Sequence, residues 1–407
     1  MKTPRGFALV LTLVLLSLLV LLILAMTALV RLESRQVSVA VPHAQARQNA
    51  LLALQVALAE LQRHAGPDDR VTGMAGITGI PAGAGQPARH WCGVWRTDGT
   101  FVAWLASGAE GEAIPPLNGP DSVALLSTGA LGADGTDKEH VRVRKVPIEE
   151  IDPQGERRVT GHYAYWIGDE GVKLSVGDAG YPLFEPTVRP AVDEILAGFA
   201  LGSPRLADVL AYEQLALVPV PALTPGALQA NRHSITVSHL SLTDTPAGPQ
   251  LRAGALNINT TNARVWRAVA ATYNRLRPDA PLGITPTTFA NRMRDGFTTA
   301  ASPGKAPSGP FLTPEAFALS AHLAAGLKGS GVKLQEFADA LGRLFTTRTD
   351  TFCLRAYGEA TSELSPSTHP AAVAVAEVFV QRLPDLHSAH GRKLSVTRFR
   401  WLGTVDL

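Results

Sequence analysis

Cysteine is scarce: the 407-residue chain carries two, Cys92 and Cys353. Two thiols exclude a disulfide-rich scaffold and any zinc site made from several cysteines. In an oxidising compartment one Cys92–Cys353 bridge is an option, and two buried, unpaired thiols are the other. Sequence carries no distances, so both readings stay open at this point. Charge is sparse as well. Asp, Glu, Lys and Arg make up 18% of the chain, against roughly 25% in ordinary soluble domains. The net charge of +2 supplies no global field for nucleic acid or acidic lipid, so no nucleic-acid partner is expected.

Catalytic signatures are missing too. The chain has no G-x-x-x-x-G-K-[ST], no H-E-x-x-H and no G-x-S-x-G. Ser-x-x-Lys occurs at Ser302/Lys305 and Ser330/Lys333. Its companion S-D-N and K-T-G strings are absent, and the first copy lies in the Pro/Gly/Ser-rich linker Ser302–Pro310. His387 and His390 offer two metal ligands, but in a polar loop with Asp385 alone nearby. Asp134-Gly135-Thr136-Asp137 with Glu139 is rich in oxygen, yet lacks a full calcium set at loop spacing and reads as a turn. Asp169 and Glu170 read as structural, capping a turn or pairing with Lys173. No catalytic residue, metal or cofactor is therefore assigned, and the expectation is a protein that is not an enzyme.

What the chain does have is one long apolar run. Phe7 to Val30 carries no charge. As a helix it is about 36 Å long, enough to span a hydrocarbon core of about 30 Å with some tilt. Lys2 and Arg5 precede it; Arg31, Glu33 and Arg35 follow. The run is too long for a secretory signal, and the flanking charges do not decide its orientation.

A second helical stretch spans Ala44 to His64. Leu51, Leu54, Leu58 and Leu61 recur every three or four residues, Leu52 and Val56 widen that face, and Gln48, Gln55 and Gln62 mark a polar one. Gly66-Pro67 ends it, and Pro42 predicts a kink or break before it. Short runs rich in aromatic and β-branched residues follow at 90–95, 101–105, 141–144 and 162–167. Helical periodicity then marks 192–200, 263–276, 314–327 and 334–347, and strands return at 351–357, 372–383 and 394–402. Leu256-Asn257-Ile258-Asn259-Thr260 alternates apolar and polar residues, and is expected to turn the chain and cap the next helix. This order is that of an α+β fold in which strands enclose a helical insertion.

The string Arg5-Gly6-Phe7-Ala8-Leu9-Val10-Leu11-Thr12-Leu13 resembles a prepilin processing site. The resemblance implies cleavage between Gly6 and Phe7 and methylation of Phe7 by a prepilin peptidase. Most pilins carry a glutamate fifth in the mature chain; in this chain that position is the neutral Leu11. Its neutrality is similar to the large minor pseudopilin K, which sits at the filament tip. The chain resembles more closely the large pilin-like proteins of Verrucomicrobia, the Verru-Chthon cassette protein A-like group. That likeness lies in Ala46-Arg47-Gln48-Asn49-Ala50-Leu51-Leu52-Ala53-Leu54, Gly66-Pro67-Asp68-Asp69-Arg70-Val71-Thr72 and Gly168-Asp169-Glu170-Gly171-Val172-Lys173. Leu256-Asn257-Ile258-Asn259-Thr260, Gly309-Pro310-Phe311-Leu312 and Phe399-Arg400-Trp401-Leu402 continue it.

The resemblance implies a leader at 1–6, a transmembrane half-helix at 7–30 and a periplasmic half-helix at 31–66. A pilin-like β-rich head at 67–190, a helical insertion at 191–345 and closing strands at 346–407 complete it. It also implies a single pass through the inner membrane, N-terminus cytoplasmic and head periplasmic. The implied role is a minor pilin or pseudopilin of a type IV pilus or type II secretion-like assembly. The implied partners are other pilin subunits, prepilin peptidase and inner membrane lipid. A tethered envelope enzyme and a pilin-anchored adhesin are the alternatives.

Overall fold

The computed structural model describes residues 5–78, 89–108, 117, 119–132, 136–151, 155–176, 191–196, 209, 212–237, 239–298, 309–361, 370–387, 389–403 and 406; the side chains of 5–8, 30 and 32–39 are not described. Helix α1, Arg5–Ala65, is a single element of 61 residues, about 90 Å long at 1.5 Å per residue. Pro42 lies inside it without ending it. The expected break does not occur, because a proline deletes one i→i−4 bond while the turns on either side keep theirs. The helix stops where Gly66 donates its N–H to the Gln62 carbonyl at 3.2 Å, and Pro67 cannot continue it.

Beyond α1, strands β1 (Arg70–Met74), β2 (Cys92–Arg96) and β3 (Phe101–Trp104) form a small antiparallel sheet. β4 (Ser122–Leu126), the short α2 (Thr128–Leu131) and β5 (Val141–Arg144) follow, with β4 and β5 paired. β6 (Val146–Ile151) and β7 (Arg157–Asp169) open the main sheet. Next come β8 (Leu174–Ser175), α3 (Pro225–Ala230), β9 (Ile235–Thr236), the hairpin β10 (Leu240–Thr245) and β11 (Gly248–Ala253), and β12 (Leu256–Asn257). Helices α4 (Ala263–Leu276), α5 (Pro286–Thr298), α6 (Pro314–Ala318), α7 (Ala321–Gly326) and α8 (Leu334–Leu341) lead to β13 (Phe345–Thr346). β14 (Thr351–Ala360), β15 (Ala372–Leu386) and β16 (Arg392–Leu402) close the fold. The protein is thus a mixed α and β structure with an N-terminal apolar helix and a β-rich body.

The main sheet has the order β16-β15-β14-β7-β6 and is antiparallel throughout. β7 and β14 are hydrogen-bonded neighbours, although residues 170–350 lie between them. The two ends of that long segment meet: Glu170 N–H donates to the Thr351 carbonyl at 3.1 Å. All ten residues of β14 are buried because both faces of this central strand are covered. On one face, Phe352, Leu354 and Ala356 pack with Ala53, Leu54, Ala57 and Leu61 of α1. On the other, Tyr357 packs with Trp91, Leu125, Val143 and Trp166. The segment between β7 and β14 supplies most of a further core around Trp266, Phe289, Phe317 and Phe337, which Ile77 and Trp95 join from the β-rich body.

Local chemistry explains where elements differ from expectation. α4 starts where the periodicity places it, with Asn262 accepting from Arg264 N–H at 3.0 Å. The 314–327 stretch divides into α6 and α7 because Ser320 Oγ accepts from Leu323 N–H and starts a new helix. α5 is an element beyond those expected, although Pro286 sits at its first position and Phe289, Met293 and Phe297 recur every four residues. Of the stretch 192–200, Val192–Glu194 is a 3-10 turn and 197–200 lie outside the described residues.

Candidate functional site

Residues 9–29 of α1 stand clear of the rest of the chain. One helix among the described residues is long and apolar enough to cross a membrane, and it spans Leu9–Leu29 with no part buried. Its few hydroxyls are satisfied inside the helix: Thr12 donates to Leu9 O, Ser17 to Val14 O and Thr27 to Ile23 O. Among residues 9–29 each side-chain hydroxyl thus has a partner within the helix, as a span through hydrocarbon would require. Leu11 is 51% exposed and presents only hydrocarbon.

The C-terminal half is the spine of the head. Its buried face matches the expected leucine stripe in part: Leu54 and Leu61 are buried and Val56 and Leu58 pack against the same core, but Ala46, Ala50, Ala53, Ala57 and Ala65 supply the rest, and Leu51 and Leu52 are about 40% exposed. Close approach is the reason. A Cβ on Gly358 of β14 would lie 2.2 Å from Ala50 N and 2.3 Å from Ala46 O. A glycine on the strand lets the two backbones meet at that spacing, and small side chains on the helix keep the approach open. Polar residues then lock the register. Asn49 donates to Glu359 O at 2.8 Å, and Gln62 donates to His390 O and Arg392 O while accepting from Leu394 N–H. Gln62 therefore ties the helix to β16 instead of facing water. The Arg382 guanidinium donates twice to Gly66 O, just past the helix C-terminus, and once to Asp350.

Beneath the spine lies a buried polar brace. Asp169, at the end of β7, accepts from Thr72 Oγ1 at 3.0 Å, Asn257 Nδ2 at 3.2 Å and Val172 N–H at 3.2 Å, and pairs with Thr349 Oγ1. Burial pushes its carboxyl up to about 6, against these hydrogen bonds. Asn259 bridges Thr72 O and the Phe311 backbone. Asn257 and Asn259 thus cross-link β1, β12 and the segments beside them, and the helix cap falls to Asn262. On the sheet face away from α1, Glu377 accepts from Arg355, Arg232 and Arg400 at 2.6–3.0 Å. Burial raises its pKa, but the three guanidinium groups win and hold it well below the usual carboxylate range.

A cavity of about 340 Å³ opens between the β-rich body and the start of α4. His90, Glu139, His233, Arg89, Asn262 and Arg264 line it. The His90 and His233 rings stack with centroids 3.5 Å apart and planes within 3°. His90 Nε2 meets Glu139 Oε2 at 2.7 Å, and His233 Nε2 meets the Glu139 carbonyl at 2.8 Å. Burial lowers the pKa of both imidazoles. Burial would raise Glu139, but the His90 hydrogen bond and the charges of His90, Arg89 and Arg264 hold it at about 2.

No known protein family's profile matches the chain, and no curated protein matches it. Among solved structures, a chain is similar from the crystal structure of the GspK-GspI-GspJ complex of the enterotoxigenic Escherichia coli type 2 secretion system. The identity is 12% and the TM-score 0.33, over 68% of this chain and 90% of that one.

Each residue marked in the sequence now has a place. Gly6 and Phe7 lie in the first turns of α1. Cys92 and Cys353 are free and buried. Cys92 packs in the core beneath α1, while strand alternation turns Cys353 to the far face beside Arg355 and Glu377. The bridge reading is thereby replaced by that of two separate thiols. Glu170 pairs with Lys173 at 2.5 Å, and Asp169 caps the following turn. Of the oxygen-rich string, 134 and 135 lie outside the described residues, Asp137 is fully exposed and Glu139 turns to His90. Ser302 and Lys305 also lie outside, and Ser330 Oγ accepts from Val332 N–H as a turn residue. His387 and His390 stack loosely, with centroids 5.7 Å apart. The joining of His90 to His233 across about 140 residues leaves no mark in local spacing.

Proposed function

We propose that the chain is a membrane-tethered minor subunit of a type IV pilus or type II secretion-like assembly, without catalytic activity of its own. One observation carries this: a single helix of 61 residues is bare and apolar in its first half and is the spine of a sheet in its second. Such a rod anchors the head in lipid first, and then offers the same surface to the rods of neighbouring subunits. Apolar helices gain little from association within lipid, so shape and packing must select those partners. The hydrocarbon at Leu11 has no charge to offer a neighbour's N-terminal amine, which suits a tip or initiating position. In this reading the N-terminus starts in the cytoplasm, prepilin peptidase cuts after Gly6 and methylates Phe7, and the head stands in the periplasm.

The test is Gly6→Val in the native host. Loss of processing, with the slower-migrating form held in the inner membrane, is the expected result. Unchanged size and location would defeat the proposal.

A second reading, an envelope enzyme on a tether, draws on the cavity at His90, Glu139 and His233. Ser234 lines that cavity, but its Oγ accepts from Asn262 Nδ2 at 3.1 Å while the imidazoles turn to Glu139, so no nucleophile–base pair supports this reading. Assembly therefore stands first.

A further inference from the structure

We propose that His90, Glu139 and His233 form a binding site for a zinc-class divalent cation that cross-links the β-rich body to the segment inserted between β7 and β14. The three residues come from three separate stretches: His90 just before β2, Glu139 just before β5, and His233 between α3 and β9. One ligand atom from each lies within 4.8 Å of the others. His90 is 7% exposed and His233 8%, so neither is an ordinary surface histidine.

The donor set selects the ion. Two imidazole nitrogens and one carboxylate suit zinc and its neighbours in the first transition row. Calcium and magnesium need several oxygen ligands, which this site lacks. Arg89, whose guanidinium lies 3.6 Å from Glu139, adds positive charge and disfavours any ion held by charge alone.

Support behind the ligands is already in place. The buried Trp166 indole N–H donates to the His90 carbonyl at 3.1 Å, and Asn262 Nδ2 donates to the His233 carbonyl at 2.8 Å. Both backbones are fixed before an ion arrives. The ion would replace the proton shared by His90 Nε2 and Glu139 Oε2. Their 2.7 Å separation must open to about 3.3 Å for tetrahedral bonds of about 2.0–2.1 Å, and the stacked rings must tilt apart. The cavity gives them room and leaves a fourth position for water or a small anion, which Arg89 and Arg264 would favour.

Full-length protein in detergent, stripped with chelator and dialysed against zinc chloride, should retain about one zinc per chain. Its melting temperature should rise by about 4 °C at free zinc a hundredfold above Kd, and not with calcium or magnesium. Cobalt(II) in the same site should show the visible bands of a tetrahedral centre. H233Q and E139Q should weaken binding at least about tenfold, while the double variant H387Q/H390Q should not. If H233Q fails to fold, H90Q and E139Q carry the same comparison. Absence of retained zinc in the parent protein would overturn the proposal. So would parent-like binding by E139Q and H90Q, or loss of zinc in the H387Q/H390Q protein alone.

Discussion

Replacing Gly358 with alanine should lift α1 off the sheet. The new methyl would stand 2.2 Å from Ala50 N, 2.3 Å from Ala46 O and 2.7 Å from the Asn49 carbonyl carbon. Ordinary contact between heavy atoms is about 3.5–4.0 Å. All three obstacles are helix backbone, which has no rotamer to escape into, so relief requires moving the helix by about 1 Å. That movement loosens the packing of Ala46, Ala50, Ala53 and Ala57, all with no exposed surface. Overpacking of this kind costs about 3 kcal/mol, which for a head of this size is a fall of about 5 °C in melting temperature. Gly226→Ala is the matched control. Gly226 lies in α3 with nothing within 4 Å of the added Cβ, so that change should stabilise by about 0.4–1 kcal/mol. Thermal unfolding of both variants in detergent, followed by circular dichroism, reads the difference. A Gly358→Ala protein that melts with or above the parent would refute the backbone-to-backbone contact.

Three further outcomes follow from the buried charges. The Asp169 carboxyl, raised from 3.8 to about 6, holds a proton in the folded state that the unfolded chain sheds between those values. Its contribution to stability is therefore present below about pH 4 and lost as pH rises through about 6, a loss of about 3 kcal/mol. Relative to Asp169→Asn, the parent should weaken by that amount between pH 4 and pH 7 in denaturant titrations, and a constant gap would contradict the assignment. The buried His239 and His322, each lowered to about 4 by burial, act in the opposite sense. Their contribution is complete above about 6.5 and is lost as pH falls through 4, so replacing either with glutamine should flatten the acid limb of the stability profile. Glu377→Gln leaves Arg355, Arg232 and Arg400 facing a neutral amide. It should cost about 3–5 kcal/mol, read as a lower denaturation midpoint.

Much of this architecture is visible in the primary structure, and the reasons differ by element. The run from Phe7 needs no tertiary context, since length and apolarity alone decide its form. α4 is legible because Asn262 caps a strongly periodic stretch. β14 is visible as a run rich in aromatic and apolar residues, interrupted at Arg355, Gly358 and Glu359, which suits a strand covered on both faces. Periodicity finds Leu54, Leu58 and Leu61 on the core side of α1 but misses the alanines beside them, because their part depends on Gly358, about 300 residues away. Hydrophobicity ranks leucine above alanine, but the distance between two backbones reverses that order. Pro42 misleads for a related reason: its local penalty is real, but it falls within a helix long enough to absorb it. The cluster of His90, Glu139 and His233 leaves almost no trace in the sequence, since only the fold brings those segments together. Glu139 sits in a string that reads along the chain as a turn, while its neighbours in space are imidazoles.

The most direct check is the chemical identity of the first residue in protein taken from native membranes. Intact-mass and N-terminal sequencing should find N-methylated Phe7, in material that stays with the membrane until detergent releases it. A chain that still begins with Met1, or one recovered without detergent from the soluble fraction, would contradict the role of α1 as a processed membrane anchor.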